Sequence, residues 1–244
     1  MKTKEIKVSI VTPCFNSAKT IRQTIESVLN QTYKNIEYIV VDGGSSDGTL
    51  DIIKEYLPRF HGRMRYISEK DRGIYDAMNK GIRMTRGGLI GIVNSDDYYE
   101  HDAVEKVVSR LTDDRYQVIY GYSRLIDNDR ATGIRKNHHK NLVNHMIQHP
   151  TCFVTRETYR DFGMFLTVFK ISGDYEFMIR LQKSKAVVFT QIKMVLTNMR
   201  IGGVSGNLKR RSLENIAFKY CHRVYSLKEA LERLIRLYLY AEYV

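Results

Sequence analysis

Three features are scarce or missing in this 244-residue sequence, and each absence excludes a class of protein. The chain has only three prolines, which argues against a disordered tail. Its three cysteines, Cys14, Cys152 and Cys221, lie far apart and form no C-x-x-C pair, so neither a disulfide framework nor a thiolate zinc site is expected. No apolar run approaches the roughly eighteen residues of a membrane span. The sequence therefore predicts a folded protein of a reduced, cytoplasmic compartment.

Positive charge is the strongest feature of the composition. The formal net charge is +12 at pH 7 and the pI is about 9.5. Such a charge favours an anionic partner: nucleic acid, a phosphorylated small molecule or the anionic inner face of a membrane, with solubility alone as the alternative. No zinc-finger or RNP-like aromatic motif is present, so we expect no nucleic-acid partner.

The first half of the sequence alternates predicted strands with predicted helices. The strands are "KVSIVTP", "NIEYIVVD", "MRYIS" and "LIGIV". The first helix is expected from about Ala18, capped by Asn16 or Ser17, and the third is "IYDAMNKGIRM". Short strands that alternate with helices predict βαβ units, hence an α/β fold of the nucleotide-binding type with a mainly parallel sheet flanked by helices.

The pattern changes after about residue 115. The segments "YQVIYGYSRLI" and "ATGIR" predict a smaller antiparallel part around the turn at Asn128, and they are followed by a helix from Asp174 to about Lys183 and a strand "AVVFT". With no linker or repeat in between, we expect one domain over residues 1–211, made of halves 1–115 and 116–211.

Residues 212–244 are predicted to form one long amphipathic helix. Its apolar residues keep helical spacing, with Lys and Arg on the other faces. Near the end, Leu237, Leu239, Tyr240 and Tyr243 widen the apolar sector beyond one stripe. Packing on the core, formation of a homodimer and contact with a membrane surface are the three alternatives for this helix.

Polar loops follow three of the predicted parallel strands, namely "TPCFN", "VDGGSSDGT" and "NSDD". Ligands of open parallel sheets bind beyond the carboxyl ends of the strands, so these loops should meet at one rim. The glycine-rich loop matches neither G-x-G-x-x-G nor the P-loop pattern, which excludes those phosphate-binding motifs. Asp42 could instead accept hydrogen bonds from a nucleobase or a ribose, with a structural Asx-turn as the alternative.

The segment "NSDD" places two adjacent carboxylates, Asp96 and Asp97, beyond a buried strand. One aspartate would suffice to cap the following helix, which is the structural alternative. Two carboxylates are better suited to Mg²⁺ or Mn²⁺, which take oxygen ligands and bridge to a substrate diphosphate.

The motifs, taken in order, resemble the family 2 glycosyltransferases. These motifs are "SIVTPCFN", "VVDGGSSDGT", "DRGIYDAMNKG", "GLIGIVNSDD", "HPTCFV", "SGDYEFMIRL" and "GGVS", which extend over about residues 7–206. The resemblance implies a GT-A fold and an inverting, metal-dependent transfer of a sugar from a nucleotide sugar, expected to be a UDP-sugar. It is strongest to members that build bacterial surface polysaccharides, so the acceptor is expected to be a saccharide or a polyprenyl-linked saccharide.

The resemblance also assigns roles on the donor side. Thr12 and Pro13 would line the nucleoside pocket, Asp42 would contact the base and Asp71 would lie beside it. Met78 stands where many members carry an arginine, so cationic help for the diphosphate would come from Arg72 or Lys80.

The remaining roles concern the metal and the chemistry. "NSDD" occupies the place of the family's D-x-D motif, with Asp96 as metal ligand, Asp97 nearby and Asn94 in the place of the first acid, sharing ribose or metal contact. Asp174 stands where the family places its catalytic base, with a helix N-cap as the alternative. The resemblance further implies an Mn²⁺ or Mg²⁺ cofactor. The three glycines of "RIGGVSG" at 200–206 predict a mobile lid over the bound donor, with an ordinary turn as the alternative.

Two other classes of function compete with this interpretation. A non-catalytic protein that binds nucleotide sugars or a membrane surface could keep the same fold, although Asp96 and Asp174 together favour the enzyme. A nucleotidyltransferase is disfavoured because "TPCFNSA" lacks a glycine-rich loop with Arg and Lys.

Overall fold

The computed structural model describes residues 6–202 and 207–239. Its strands are β1 (Val8–Cys14), β2 (Ile36–Asp42), β3 (Met64–Ser68), β4 (Leu89–Ile92), β5 (Tyr98–Tyr99), β6 (Gln117–Asp127), β7 (Arg130–Arg135), β8 (Phe153–Thr155) and β9 (Val188–Arg200). Its helices are α1 (Ile21–Leu29), α2 (Thr49–Tyr56), α3 (Ile74–Met84), α4 (Ala103–Val108), α5 (Arg156–Phe162), α6 (Gly173–Ser184), α7 (Leu208–Cys221) and α8 (Leu227–Leu239). The strands form one sheet in the order β3-β2-β1-β4-β8-β6-β9-β5, and β7 pairs with β6.

The strands of the first half are parallel, as their alternation with helices predicts. β1 pairs with β2 on one side and with β4 on the other, and β2 pairs with β3. All residues of β1, β2 and β4 are buried, because helices cover both faces of the sheet. Side chains of α1, α2 and α4 pack on one face, and those of α3, α5 and α6 pack on the other.

The second half adds the antiparallel part. β8 pairs antiparallel with both β4 and β6, whereas β9 runs parallel to β6 and antiparallel to β5. The turn between β6 and β7 has left-handed residues at Asn128 (φ 46°) and Asp129 (φ 59°), the backbone that a tight hairpin requires. These observations confirm the predicted α/β architecture. The predicted strand "AVVFT" is only the beginning of β9, which continues to Arg200.

Helix α1 begins later than predicted, and neither expected cap is used. Its N-cap is Thr20, whose side chain makes no capping hydrogen bond. Asn16 has a φ of 48°, and its Oδ1 accepts a hydrogen bond from the amide of Ser46 at 2.9 Å. Asn16 therefore joins two loops of the rim instead of capping the helix.

The prediction of one helix over residues 212–244 is wrong. Two helices, α7 and α8, take its place, and α7 already begins at Leu208. The chain turns at Arg223 (φ 53°). Ser226 and Glu229 then form a reciprocal capping box at the start of α8, with the amide of Ser226 donating to the Glu229 carboxylate at 2.8 Å and that of Glu229 to Ser226 Oγ at 3.3 Å. Tyr240 and Tyr243 lie outside the described residues. No helix of the described residues is long and apolar enough to cross a membrane.

Candidate active site

The loops that follow β1, β2 and β4 contact one another at one rim of the sheet. The amide of Asn16 donates to Ser45 Oγ at 2.8 Å, and the amide of Ser17 donates to Thr49 Oγ1 at 2.7 Å. Ser17 Oγ lies 2.8 Å from Ser95 Oγ. The predicted convergence of the three strand ends is therefore confirmed.

Asp42 is the last residue of β2, directly before one of these loops, and it is fully buried. Its carboxylate accepts hydrogen bonds from the amide of Ser45 at 3.1 Å, from the hydroxyl of Ser45 and from Ser68 Oγ at 2.6 Å. These contacts form a turn, which is the structural alternative to a nucleotide-binding role for Asp42. A carboxylate has about four lone-pair positions, so contact with a nucleobase remains a prediction for Asp42.

Thr12 and Pro13, predicted to line the nucleoside pocket, are both buried. Thr12 Oγ1 accepts a hydrogen bond from the Tyr38 hydroxyl at 3.0 Å. Phe15, in the loop that follows this strand, is 63% exposed. Phe15 was missed by the sequence-based assignment, although an aromatic residue inside a polar loop was the available signal.

Gly43 brings Phe15 and Asp71 together. A Cβ atom at Gly43 would lie 3.0 Å from Asp71 Oδ2 and 3.4 Å from the Phe15 ring. Asp71 is thus placed beside the Asp42 loop, and its side chain is only 9% exposed. The absence of a side chain at Gly43 leaves the space between the ring and the carboxylate open.

The two basic residues that could assist a diphosphate differ in their surroundings. Lys80 Nζ lies 2.6 Å from Asp71 and 2.8 Å from Glu69, so its charge is held in ion pairs within the protein. The Arg72 side chain is 83% exposed, and its guanidinium lies 3.8 Å from Asp76. Of the two, Arg72 is the more available to an anionic ligand.

The "NSDD" segment does not cap a helix. β5 follows it directly, and α4 begins only at Ala103 with Asp102 as its N-cap. The capping alternative is therefore excluded. Asn94 Oδ1, in the same segment, is buried and has no hydrogen-bond partner among the described residues.

Asp96 and Asp97 differ in orientation. Asp97 is 2% exposed, and its Oδ1 accepts a hydrogen bond from the amide of Arg200 at 3.0 Å. The Asp96 carboxylate, within residues 6–202 and 207–239, has no hydrogen bond from another residue, although the Arg200 guanidinium donates to the Asp96 carbonyl oxygen at 2.7 Å. Arg200, at the end of β9, thus joins this segment to the opposite part of the sheet.

Both carboxyl groups are held in an environment that disfavours their charge. Burial raises the pKa of Asp96 above its ordinary value. Burial and the neighbouring charge of Asp96 raise the pKa of Asp97 further. The positive charge of Arg200 lowers both pKa values by less than burial raises them. A bound cation would lower the pKa values of both carboxyl groups.

Asp174 lies in the first turn of α6, after the N-cap Ser172. Its Oδ1 is 2.8 Å from the hydroxyl of Tyr75, which is also 2.7 Å from the carbonyl oxygen of Ile171. Burial and the charge of Asp174 raise the pKa of Tyr75 well above its ordinary value, so the phenol stays protonated and can donate. The N-cap alternative is not realised, and Tyr75 fixes the Asp174 side chain.

His149 is buried near Asp174, and burial lowers its pKa while the Asp174 charge opposes this shift. The described residues contain no group of three or more His, Cys, Asp or Glu that could hold a metal ion. The central part of the predicted lid, residues 203–206, lies outside the described residues.

A scan against family models matches residues 9–187 to "Glycosyl transferase family 2". Among curated proteins, the chain is 31% identical over 215 residues to the chondroitin synthase of Escherichia coli, covering 85% of this chain but 31% of that protein. It is 27% identical to a PGL/p-HBAD biosynthesis glycosyltransferase of Mycobacterium tuberculosis (strain ATCC 25618 / H37Rv), covering 82% of this chain and 79% of that protein. The chain thus spans about a third of the length of the first relative and most of the second.

Solved structures share the fold at low identity. The S. aureus TarS 1–349 complex with UDP-GlcNAc has a TM-score of 0.72 at 16% identity, covering 93% of this chain and 69% of that chain. The mannosyltransferase PcManGT from Pyrobaculum calidifontis, in complex with GDP-Man and Mn²⁺, has a TM-score of 0.69 at 16% identity, covering 97% and 71%. The resemblance read from the motifs is therefore confirmed, and with it the enzyme over the non-catalytic alternative: this chain belongs to the family 2 glycosyltransferases.

Proposed function

We propose that this glycosyltransferase uses a divalent metal ion to transfer a sugar from a UDP-sugar to a hydroxyl of a saccharide or lipid-linked saccharide, with inversion at the anomeric carbon. The observation that carries the proposal is the state of Asn94 and Asp96 beyond β4. Asn94 Oδ1 is buried without a partner, and the Asp96 carboxylate has a raised pKa, both within the described part of the chain. Oxygen atoms left in this state are suited to a ligand or cation that supplies the missing contacts.

The residues present fit an Mn²⁺ or Mg²⁺ ion. Asp96 would bind it directly, and the negative charge of the neighbouring Asp97 would add to the attraction. A single carboxylate ligand would leave several coordination positions for donor phosphates and water, which is usual for Mg²⁺-type sites. When bound, the ion would neutralise the charge that develops on the departing diphosphate.

The nucleoside would bind over the loops that follow β1 and β2. The exposed ring of Phe15 offers an apolar face to a base, and Asp42 and Asp71 offer acceptors for its N–H groups or for the ribose. The gap at Gly43 would admit the base between the Phe15 ring and Asp71. Asn94 would hold a ribose hydroxyl or share the metal.

Asp174 would act as the general base. As the acceptor oxygen forms its bond to the anomeric carbon, Asp174 takes the hydroxyl proton, and the bond from that carbon to the diphosphate breaks with its electron pair leaving on the nucleoside diphosphate. The proton then passes from Asp174 to solvent. Tyr75 keeps the carboxylate oriented towards the reacting groups through its hydrogen bond.

The test is a panel of UDP-, GDP- and dTDP-sugars assayed for binding and for hydrolysis, with Mn²⁺ and with EDTA. We expect metal-dependent binding and cleavage of a UDP-sugar. Cleavage that is equal in EDTA would reject the metal, and preference for GDP- or dTDP-sugars would reject the donor.

We place the acceptor at an anionic membrane surface because of the exposed face of α8. Five apolar side chains of this face are between 49% and 70% exposed, namely Leu227, Leu231, Ile235, Tyr238 and Leu239. Residues 208–239 contain eight Lys or Arg and three Glu. An apolar helix face within a basic segment is typical of helices that lie on anionic bilayers.

Sedimentation with liposomes tests this placement. Binding should be stronger to anionic than to neutral lipid, weaken with salt and fall in a Leu231→Asn/Ile235→Asn variant. Equal binding to both lipids would reject it. A dimer in solution that the same variant dissociates would assign the face to a second copy of the chain.

A further inference from the structure

The loop before Asp174 is held by a carboxylate from a distant helix. The consecutive amides of Lys170, Ile171 and Ser172 all donate to Glu214 of α7, each at 2.9 Å. Three successive amides that point at one anion form a nest at the beginning of a helix. The Ser172 side chain makes no capping hydrogen bond, so Glu214 supplies the anion at the start of α6.

Glu214 is charged in this position. Burial opposes its charge, but the three amides and Arg210 hold its pKa below its ordinary value. Its side chain is 12% exposed, whereas that of Arg210 is 52% exposed. The amides are therefore the main partners, and Arg210 is a peripheral one.

The same loop is held on its other side by Tyr75. Ile171 donates its amide to Glu214 and lies 2.7 Å from the Tyr75 hydroxyl through its carbonyl oxygen. That hydroxyl is the one beside Asp174. A Cβ at Gly173 would lie 2.9 Å from the Tyr75 ring, so loop and ring are in close contact. Movement of Ile171 would therefore change the contact that orients Asp174.

We propose that Glu214 is a positioning residue that fixes Asp174 against the acceptor hydroxyl; this inference rests on the proposed role of Asp174 as base. Glu214 does not touch the reacting groups and acts through the loop Lys170–Ser172. Among the described residues, Glu214 accepts hydrogen bonds from this loop and from Arg210, and from none of the loops that follow β1, β2 and β4. Glu214 should accordingly affect turnover and leave donor binding unchanged.

The experiment compares Glu214→Gln with Glu229→Gln in the full chain. Both variants make the same chemical change at a carboxylate that accepts from amides at a helix start, but Glu229 caps α8 at Ser226. Hydrolysis of the UDP-sugar, with water in place of the acceptor, gives kcat, and calorimetry with UDP and Mn²⁺ gives donor affinity. We expect Glu214→Gln to lower kcat roughly 10- to 100-fold, the effect of a small misplacement of a reacting group, with unchanged UDP affinity. Glu229→Gln should keep the parental kcat.

Two further measurements separate positioning from loss of fold. Acetate added to Glu214→Ala should restore part of kcat, because it can replace the missing carboxylate at the three amides. In the Asp174→Asn background, Glu214→Gln should cause little further loss, because both changes act on one step. Independent, multiplying losses would overturn the proposal, as would a parental kcat in Glu214→Gln or an equal loss of UDP affinity.

The two proposals can fail separately. If Asp174→Asn keeps the parental kcat, the base assignment is wrong and the positioning role is overturned with it. If Asp174→Asn is inactive and Glu214→Gln is fully active, only the positioning role is overturned.

Discussion

Glu37 and Asp97 are both buried carboxylates of the parallel sheet, one near the amino ends of its strands and the other beyond their carboxyl ends. Glu37 accepts hydrogen bonds from Ser9 Oγ at 2.6 Å, the amide of Gly87 at 3.0 Å and the Arg65 guanidinium at 2.9 Å. Burial by itself raises the pKa of Glu37. These donors, with the amide of Arg86, nevertheless hold that pKa below its ordinary value.

The carboxyl groups at the other end have fewer donors among the described residues: Asp97 accepts from the amide of Arg200 at 3.0 Å and from Asn94 Nδ2 at 3.5 Å, and the Asp96 carboxylate accepts from no other residue. Burial, together with the charge of Asp96, raises the pKa of Asp97, and burial raises the pKa of Asp96 itself. Where a carboxylate only stabilises the fold, this chain surrounds it with donors. Where the chain leaves carboxylates with few donors and raised pKa values, we expect a cation or another ligand from outside the protein to bind them. Four changes test this contrast.

The largest effect is expected for Asp96→Asn. It should abolish Mn²⁺-dependent UDP binding with little change in melting temperature, because the Asp96 carboxylate has no hydrogen bond from another described residue to lose. The matched change at the opposite end, Glu37→Gln, should keep UDP binding and lower the free energy of unfolding by about 3 kcal/mol, since it disrupts a buried charge network. Calorimetry of both variants measures the affinity for UDP, and thermal unfolding measures their stability. Unaltered metal-dependent affinity in Asp96→Asn would refute its assignment as ligand.

The next effect is expected for Asp174→Asn, which is nearly isosteric. Turnover should fall roughly 10²- to 10⁴-fold, the range for a lost general base, while UDP-sugar affinity stays. Glu176 of the same helix is the control, since it is fully buried and paired with Arg180 at 3.0 Å. Glu176→Gln should lower stability and keep the turnover of the folded fraction. Lost affinity at unchanged turnover would make Asp174 a binding residue.

A smaller effect is expected for Asp42→Ala. Loss of one charge-assisted hydrogen bond to the base should weaken UDP binding about tenfold to a hundredfold. Ser68→Ala, which removes one donor to Asp42 without removing the carboxylate, should change affinity much less. If Asp42→Ala binds UDP as tightly as the parent, Asp42 serves only the turn.

The smallest effect concerns pH. Because the pKa values of Asp96 and Asp97 are raised on folding, the folded state binds protons more tightly than the unfolded chain, and their contribution to stability declines as the pH rises above about 4. Glu37 works in the opposite sense, with a contribution that is lost as the pH falls. Metal competes with these protons. The increase in melting temperature caused by Mn²⁺ should therefore grow from about pH 5 to about pH 8, and a Mn²⁺ response that is flat with pH would contradict the shifted carboxyls.

The parallel half of the fold and the position of the rim could be predicted from the sequence because both depend on local patterns. Short apolar strands alternate with helices, and their polar ends must meet once neighbouring strands are parallel. The split of the C-terminal helix also had a local signal, the capping box of Ser226 and Glu229, which was overlooked.

The residues that hold the candidate site residues in place had no such local signal. Arg200 reaches Asp97 across 103 positions, Tyr75 reaches Asp174 across 99, and Glu214 reaches Ile171 across 43. Arg200 and Glu214 are ordinary charged residues of β9 and α7, and Tyr75 is one of several buried residues of α3. Only the packing of these three elements against the rest of the chain gives these residues a role, so no local pattern could identify them.

The exposed ring of Phe15 has a practical consequence for observing this enzyme. The chain contains no tryptophan, so it has no indole fluorescence of its own. Phe15→Trp would place a single indole at the rim, beside Gly43 and opposite Asp71. With excitation selective for indole over the 17 tyrosines, its emission would report arrival and departure of the nucleotide in stopped-flow experiments without a label.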